Sequence, residues 1–140
     1  MKKLIYAAVI VLALAVIYSI LPEYPKAGVT YFFQKTFDQE AQIAVSEVMT
    51  TTNPELNAIY LDICKNHANM PTWVYDKEND TVTYYGNGVE INLEEQQLGY
   101  YTSTKVKIVF AKDDISIYVN GNLVPDKFES IVLNQMYNGL

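Results

Sequence analysis

The stretch that decides the fold is residues 4–21, LIYAAVIVLALAVIYSIL, an apolar run that contains no charged residue. A helix rises about 1.5 Å per residue, so a run of this length spans roughly the hydrocarbon thickness of a bilayer. Lys2 and Lys3 precede the run, and lysines beside a span favour the cytoplasmic side. The sequence therefore predicts a transmembrane anchor over 1–21 and an extracytoplasmic location for 22–140.

A cleaved signal peptide is the alternative interpretation of the same run. Ala13 and Ala15 flank Leu14 in the small-x-small form of a cleavage site. The apolar residues nevertheless continue past this site to Leu21, which favours a retained anchor. No cysteine follows the run at a position suited to lipid attachment.

Composition limits the partners of the remaining chain. The part of the chain after the anchor has roughly 120 residues, the size of one domain. The whole chain has a net charge of −6 and contains no arginine, the residue on which phosphate and base recognition rely most. Nucleic-acid binding is therefore not expected. An acidic domain is also repelled by anionic head groups, so we expect the N-terminal helix alone to hold the protein in the membrane.

The segment that follows the anchor predicts helices. Pro22 and Pro25 should interrupt the first helix at the membrane surface, where Tyr24 and Lys26 suit the interface. Residues 29–50 then predict one amphipathic helix, because apolar residues recur at spacings of three and four. We expect this stripe to face a core; it comprises Phe33, Phe37, Ile43, Ala44, and Val48 or Met49.

A second, shorter helix is predicted over about 55–66. Asn53 suits its cap and Pro54 its first turn, and both residues also end the preceding helix. The buried side of this helix is marked by apolar residues at helical spacing: Leu56, Ile59, Tyr60 and Ile63, with Cys64 beside them.

From Pro71 onward the apolar period changes from helical spacing to two, which predicts strands. TWVYD predicts a strand, and TVTYYGNGVEINL a hairpin with its turn at Gly86-Asn87-Gly88. Residues 105–124 predict a clearer hairpin, in which the inward positions are Val106, Ile108, Phe110, Ile115, Ile117 and Val119. The tail predicts a closing helix around residues 128–136, with Gly139 as its C-cap.

The order of these elements predicts an α+β fold. The transmembrane helix continues into the amphipathic helix, which packs on a C-terminal antiparallel sheet of four or five strands. The predicted organisation is an anchor over 1–21, a helical region over 22–70 and a sheet region over 71–140. Residues 22–140 are expected to form one domain.

Residues that carry chemistry are few. Cys64 is the only cysteine, and a buried thiol, an intermolecular bridge and a reactive thiol are the three interpretations of it. The single histidine, His67, is near it without the spacing of a catalytic dyad. No phosphate loop, zinc spacing or nucleophile elbow is present. We therefore expect no enzyme activity, cofactor, metal or small-molecule substrate.

One acidic turn keeps two interpretations. Asp76, Glu78 and Asp80 resemble the start of a calcium loop, but Thr81 stands where an EF-hand has glycine and Asn87 where it has glutamate. A solvated turn between strands and an irregular calcium site both remain open at this point.

Two motifs resemble those of type IV pilins and pilin-like proteins. The apolar run ends in Leu21-Pro22-Glu23-Tyr24, similar to the LP-x-Y that follows the hydrophobic half of the pilin helix. Residues 41–49, AQIAVSEVM, are similar to a segment of the pilin amphipathic helix. The resemblance covers roughly the first 65 residues by motif and the remainder by topology, without a recognisable prepilin leader.

The resemblance implies a non-catalytic structural subunit of a pilin-like filament or secretion pseudopilus. Such a subunit lies in the cell membrane or a cell-surface filament, and its partners are copies of itself or related envelope subunits. Small residues on an apolar helix permit close helix–helix approach. The alternative is a membrane-tethered assembly or accessory factor that binds another envelope protein. The candidate assembly residues are Ala7, Ala8, Ala13, Ala15, Pro22 and Tyr24.

Overall fold

The computed structural model describes residues 1–65 and 68–140 and has an α+β fold with a long N-terminal apolar helix and a five-stranded antiparallel sheet. This coarse prediction is confirmed. The helices are α1 Lys2–Ile20, α2 Glu23–Phe37, α3 Gln39–Met49, α4 Tyr60–Lys65 and α5 Glu129–Asn138, preceded by a 3₁₀ turn at Asp126–Phe128. The strands are β1 Thr52–Asn53, β2 Ala58–Ile59, β3 Asn69–Asp76, β4 Thr81–Leu93, β5 Gly99–Phe110, β6 Ile115–Val119 and β7 Asn122–Leu123.

The large sheet is a meander in which β3 to β7 lie side by side in chain order. Its strands alternate because only one face is covered, so every second side chain points into the core. The predicted inward positions Val106, Ile108 and Ile117 are fully buried. The hydroxyl of Tyr84 on β4 donates to the carbonyl oxygen of Cys64 at 2.9 Å, which joins α4 to this face.

The predicted hairpin turn at Gly86-Asn87-Gly88 is wrong, because β4 runs through it as one strand from Thr81 to Leu93. The register with β5 shifts between Asn87 and Val89, which makes this site a β-bulge, and Gly88 has a φ of 76°. The extra residue changes which positions face inward, from Val82 and Tyr84 before it to the buried residues Val89, Ile91 and Leu93 after it. The bulge at these glycines therefore lets one long strand bury side chains in the same core before and after it.

The predicted helix over 29–50 is two helices, α2 and α3, that meet at Asp38. Asp38 has extended backbone angles, and its Oδ1 accepts a hydrogen bond from the N–H of Ala41, so it caps α3. The first of the two begins earlier than predicted, at Glu23. Pro25 fits into its first turn, where the N–H that proline lacks has no helical partner.

The expected core stripe of this segment is wrong for its first half. Phe33, Phe37 and Ile43 are 56%, 75% and 53% exposed. α2 contacts the core through Tyr31 instead, and in α3 Ala41 is buried and the following apolar residues pack partly against the core. The reason is that α2 meets the sheet through a polar side chain, Gln34, rather than through its phenylalanines.

The predicted helix over 55–66 is shorter in its described part, because α4 begins only at Tyr60. Asn53 caps a turn instead of a helix: its Oδ1 accepts from the N–H groups of Glu55 and Leu56. The chain then returns as β2, which pairs with β1. Position 66 lies outside the described residues. Ile63 and Cys64 are buried as predicted.

The closing helix is confirmed as α5, Glu129–Asn138. Its residues Val132, Leu133 and Met136 are buried in the same core as the sheet. Gly139 stands at its C-cap with a φ of 79°, a backbone conformation that glycine adopts without a steric penalty.

Candidate interaction surface

Helix α1 stands clear of the core. None of its residues is buried, and its mean hydropathy reaches 2.3 over a membrane-length window. Among the described residues it is the one helix long and apolar enough to cross a bilayer. A signal sequence near an N-terminus has the same length and composition.

The four alanines predicted for helix packing are all exposed on α1. At 3.6 residues per turn, Ala8 and Ala15 lie on one face because they are seven positions apart. Ala7 lies on the flank of that face and Ala13 on the opposite side of the helix. The structure therefore divides the alanines: Ala8 and Ala15 share a face, on which Val11 and Leu12 lie between them, and Ala15 also lines the cleft beside α2.

The break after α1 places Pro22 and Tyr24 differently. Leu21 is extended, with φ −63° and ψ 142°, and Pro22 is an exposed N-cap of α2. Tyr24 instead lies against the protein's own sheet: its ring meets that of Tyr85 edge-to-face, with centroids 5.0 Å apart. Burial and the neighbouring Glu23 raise the pKa of Tyr24 to about 12.

Glu23 ties the start of α2 to the outer face of the sheet. Its Oε1 lies 2.9 Å from Nζ of Lys107 and accepts a hydrogen bond from the hydroxyl of Tyr85 at 3.3 Å. Burial and the Glu23 carboxylate raise the pKa of Tyr85 well above its ordinary value. This hydroxyl therefore stays protonated and remains a donor to Glu23.

Gln34 holds the middle of α2 on the free edge of β3. Its Nε2 donates to the carbonyl oxygen of Tyr75 at 2.7 Å, and its Oε1 accepts from the N–H of Tyr75 at 2.9 Å. One amide thus bonds the edge strand as a neighbouring strand would. This position was missed by sequence reasoning, since nothing in a pattern links residues 41 positions apart.

The opposite side of α2 carries apolar side chains that remain exposed. Its exposed large residues are Val29, Phe32, Phe33 and Phe37. Val29 and Phe33 also line an apolar cleft of about 510 Å³ that Leu14 and Tyr18 of α1 close from the other side. The helical spacing of the phenylalanines was visible in the sequence, but its exposure was not.

Cys64 is buried and free, and burial raises the pKa of its thiol well above the ordinary value. This favours the interpretation as a buried apolar residue. His67 lies outside the described residues.

The carboxylate of Asp76 accepts hydrogen bonds within its own turn. Oδ1 accepts from the N–H groups of Glu78 and Asn79, and Oδ2 accepts from Nδ2 of Asn79 at 2.7 Å. Within residues 1–65 and 68–140, no three His, Cys, Asp or Glu side chains come together as a metal site.

No protein-family model, curated protein or solved structure matches the chain.

Proposed function

We propose that the protein is a non-catalytic structural subunit of a pilin-like filament or secretion pseudopilus, anchored by α1 before assembly. The observation that carries the proposal is that α1 is a long apolar helix with no buried residue, whereas the core lies between Ala58 and Met136. The core forms without α1, and α2 contacts only its last turns, which leaves the rest of that helix free to pack against the same helix of other copies.

The face through Ala8 and Ala15 supports this assignment. Small side chains at these two positions let the backbones of two helices approach each other there, in lipid or in a fibre interior. The break at Leu21–Pro22 and the following helices beside an antiparallel meander agree with the layout that the LP-x-Y resemblance implies. The chain differs from that layout in one respect: α2 turns back beside α1 instead of continuing it, since the hydroxyls of Tyr18 and Thr30 are 2.6 Å apart.

A second candidate is a membrane-tethered accessory factor that binds another envelope protein and does not polymerise. A groove of about 630 Å³ beside the start of β3 favours it. Tyr24, Phe32, Met70 and Tyr85 line this groove, and Met70 is 85% exposed. Aromatic residues and methionine are enriched in protein interfaces, so the groove suits a segment of a different protein.

The test compares two substitutions at one position, Ala8→Leu and Ala8→Gly. Sedimentation of the full chain in mild detergent measures association. We expect Ala8→Leu to shift the protein toward single copies and Ala8→Gly to retain association, because only leucine keeps the backbones apart. Fluorescence of Trp73, a buried core residue, should be the same in both variants and report an intact fold.

If both variants associate to the same extent as the unsubstituted chain, packing through this face is contradicted. A chain that stays single in all three forms and copurifies with one different envelope protein would favour the accessory factor instead.

A further inference from the structure

Helix α2 runs back beside the last turns of α1. The hydroxyls of Tyr18 and Thr30 are 2.6 Å apart, and Leu14 shares a cleft with Phe33. The first turns of α2 therefore lie beside the last turns of α1, and an apolar cleft separates the two helices farther along. The Tyr18–Thr30 hydrogen bond also gives each of these hydroxyls a partner beside apolar side chains.

This geometry brings Phe33 close to the part of α1 that lies in the membrane. Leu14 precedes the last residue of α1 by six positions, about 9 Å along a helix axis. In a bilayer of about 30 Å hydrocarbon thickness, a spanning α1 carries Leu14 well inside the outer leaflet. Phe33 shares a cleft with Leu14, so its side of α2 faces the acyl chains around a spanning α1 rather than water.

The chemistry of α2 agrees with that position. Val29, Phe32, Phe33 and Phe37 form the exposed apolar face that continues the apolar surface of α1. Helices that lie in a membrane interface combine such a face with cationic residues at their polar side.

The charges around this face fit an interface. Lys26 has its Nζ 4.9 Å from the centre of the Tyr18 ring. Lysine stems of this kind extend to the head groups while their ammonium stays in water. The acidic ends of α2 are paired away from the face: Glu23 with Lys107 at 2.9 Å, and Asp38 with Lys77 at 3.3 Å.

We propose that α2 is a second membrane contact, an interfacial helix whose phenylalanine face lies among the acyl chains of the outer leaflet. The proposal rests on the membrane anchoring in the proposed function and adds a lipid surface as the partner of α2. It replaces the expectation that α1 alone holds the protein in the membrane.

The experiment places a fluorescent label at one of three exposed positions of the full chain, Phe33→Cys, Ile17→Cys or Leu123→Cys. These native residues are similarly exposed, at 56%, 52% and 59%. Cys64 is buried, and the chain without an added cysteine serves as the labelling blank. The proteins are reconstituted at low density in phosphatidylcholine vesicles. Quenchers are lipids with a nitroxide on the acyl chain and, separately, iodide on both sides of the membrane.

We expect the label at Phe33→Cys to lose as much fluorescence to nitroxide lipids as the label at Ile17→Cys, and to be shielded from iodide. The label at Leu123→Cys should show the reverse. Iodide quenching at Phe33→Cys, with lipid quenching retained at Ile17→Cys, would overturn the inference and leave the anchor intact. Shielding of Phe33→Cys from both quenchers would also overturn it, because a second protein copy would then cover the face.

Iodide quenching at Ile17→Cys would refute the anchor in the proposed function, and the lipid contact of α2 with it. Failure of the lipid contact of α2 and failure of the α1 anchor therefore give different quenching patterns.

Discussion

Helices α2 and α5 have the same kind of apolar pattern and the same kind of bond to the sheet, yet opposite surroundings. Gln34 of α2 holds the backbone of Tyr75, and Gln135 of α5 holds the backbone of Asn92 through an identical pair of amide hydrogen bonds. The apolar residues of α5, such as Leu133, are buried, whereas Phe33 of α2 is exposed.

The difference lies in where each helix stands relative to the sheet. α5 lies over the inner face, so the residues beside Gln135 fill the core. α2 lies at the edge strand β3, and its phenylalanines remain exposed. An amphipathic pattern therefore shows that a helix has an apolar face, but not whether its own domain covers that face. An uncovered face of this size is typical of an interaction surface.

The largest expected effect is on folding. Leu133→Ala should lower the free energy of unfolding by about 2–5 kcal/mol, because it removes buried methyl groups and leaves a cavity. The matched change Phe33→Ala should stay within about 0.5 kcal/mol, since that side chain leaves the core unchanged. Denaturant titration of the full chain in detergent, followed by Trp73 fluorescence, measures both.

Equal destabilisation by the two substitutions would refute the contrast between α2 and α5. Phe33 would then belong to the folding core.

An intermediate effect is expected for the two glutamines. Gln34→Ala and Gln135→Ala should each cost about 1 kcal/mol, because each leaves a backbone N–H and C=O without their partner. Amide hydrogen exchange separates them: Gln34→Ala should speed exchange at Tyr75 alone, and Gln135→Ala at Asn92 alone. Unchanged exchange at both amides would show that the glutamines do not bond the strands in solution.

A smaller effect should follow from pH at the start of α5. Burial, a hydrogen bond that the protonated carboxyl donates to Asp126, and the charges of Asp126 and Asp114 raise the pKa of Glu129 from 4.5 to about 7. The folded chain therefore holds a proton that the unfolded chain releases. Stability present below pH 4.5 is lost as the pH rises through 7. We expect a melting temperature a few degrees lower at pH 8 than at pH 5, since solvent screens a half-exposed group.

Glu129→Gln is the control for this pH dependence, because glutamine does not ionise. The variant should show a smaller difference between pH 5 and pH 8. An equal difference in the variant would assign the effect to other groups. The lowered pKa values of Asp38 and Asp76 lie below this window and should not contribute.

The smallest expected effect is that of calcium. The Asp76 carboxylate already accepts three hydrogen bonds from its own turn, two from backbone N–H groups and one from Asn79. We expect the same melting temperature with calcium and with a chelator. A higher melting temperature in calcium that Asp76→Asn removes would establish the irregular site.

The sheet was the more predictable half of the molecule. Val106, Ile108 and Ile117 alternate with polar residues because only one side of their strands is buried, so the sequence period reports the core face directly. The hairpin turn predicted at residues 86–88 was wrong because the positive φ that glycine supplies to a turn also suits a β-bulge.

The interaction surface was less predictable, for two physical reasons. The spacing of Phe33 and Phe37 identifies a helix face, but its exposure depends on where α2 meets the sheet. The bonds of Gln34 and Gln135 join residues 41 and 43 positions apart, and no local pattern encodes them. By contrast, the alanines of α1 could be identified from the sequence, and only their division between faces required the helix geometry.

The most direct test of the proposed subunit is microscopy of sheared surface material from cells that produce the unsubstituted chain, Ala15→Gly or Ala15→Leu. N-terminal sequencing identifies the protein in each fraction. The account predicts filaments that contain this chain for the first two forms and their loss for Ala15→Leu, which remains folded in the membrane. Membrane-bound protein without filaments in all three forms, or filaments unchanged by Ala15→Leu, would contradict it.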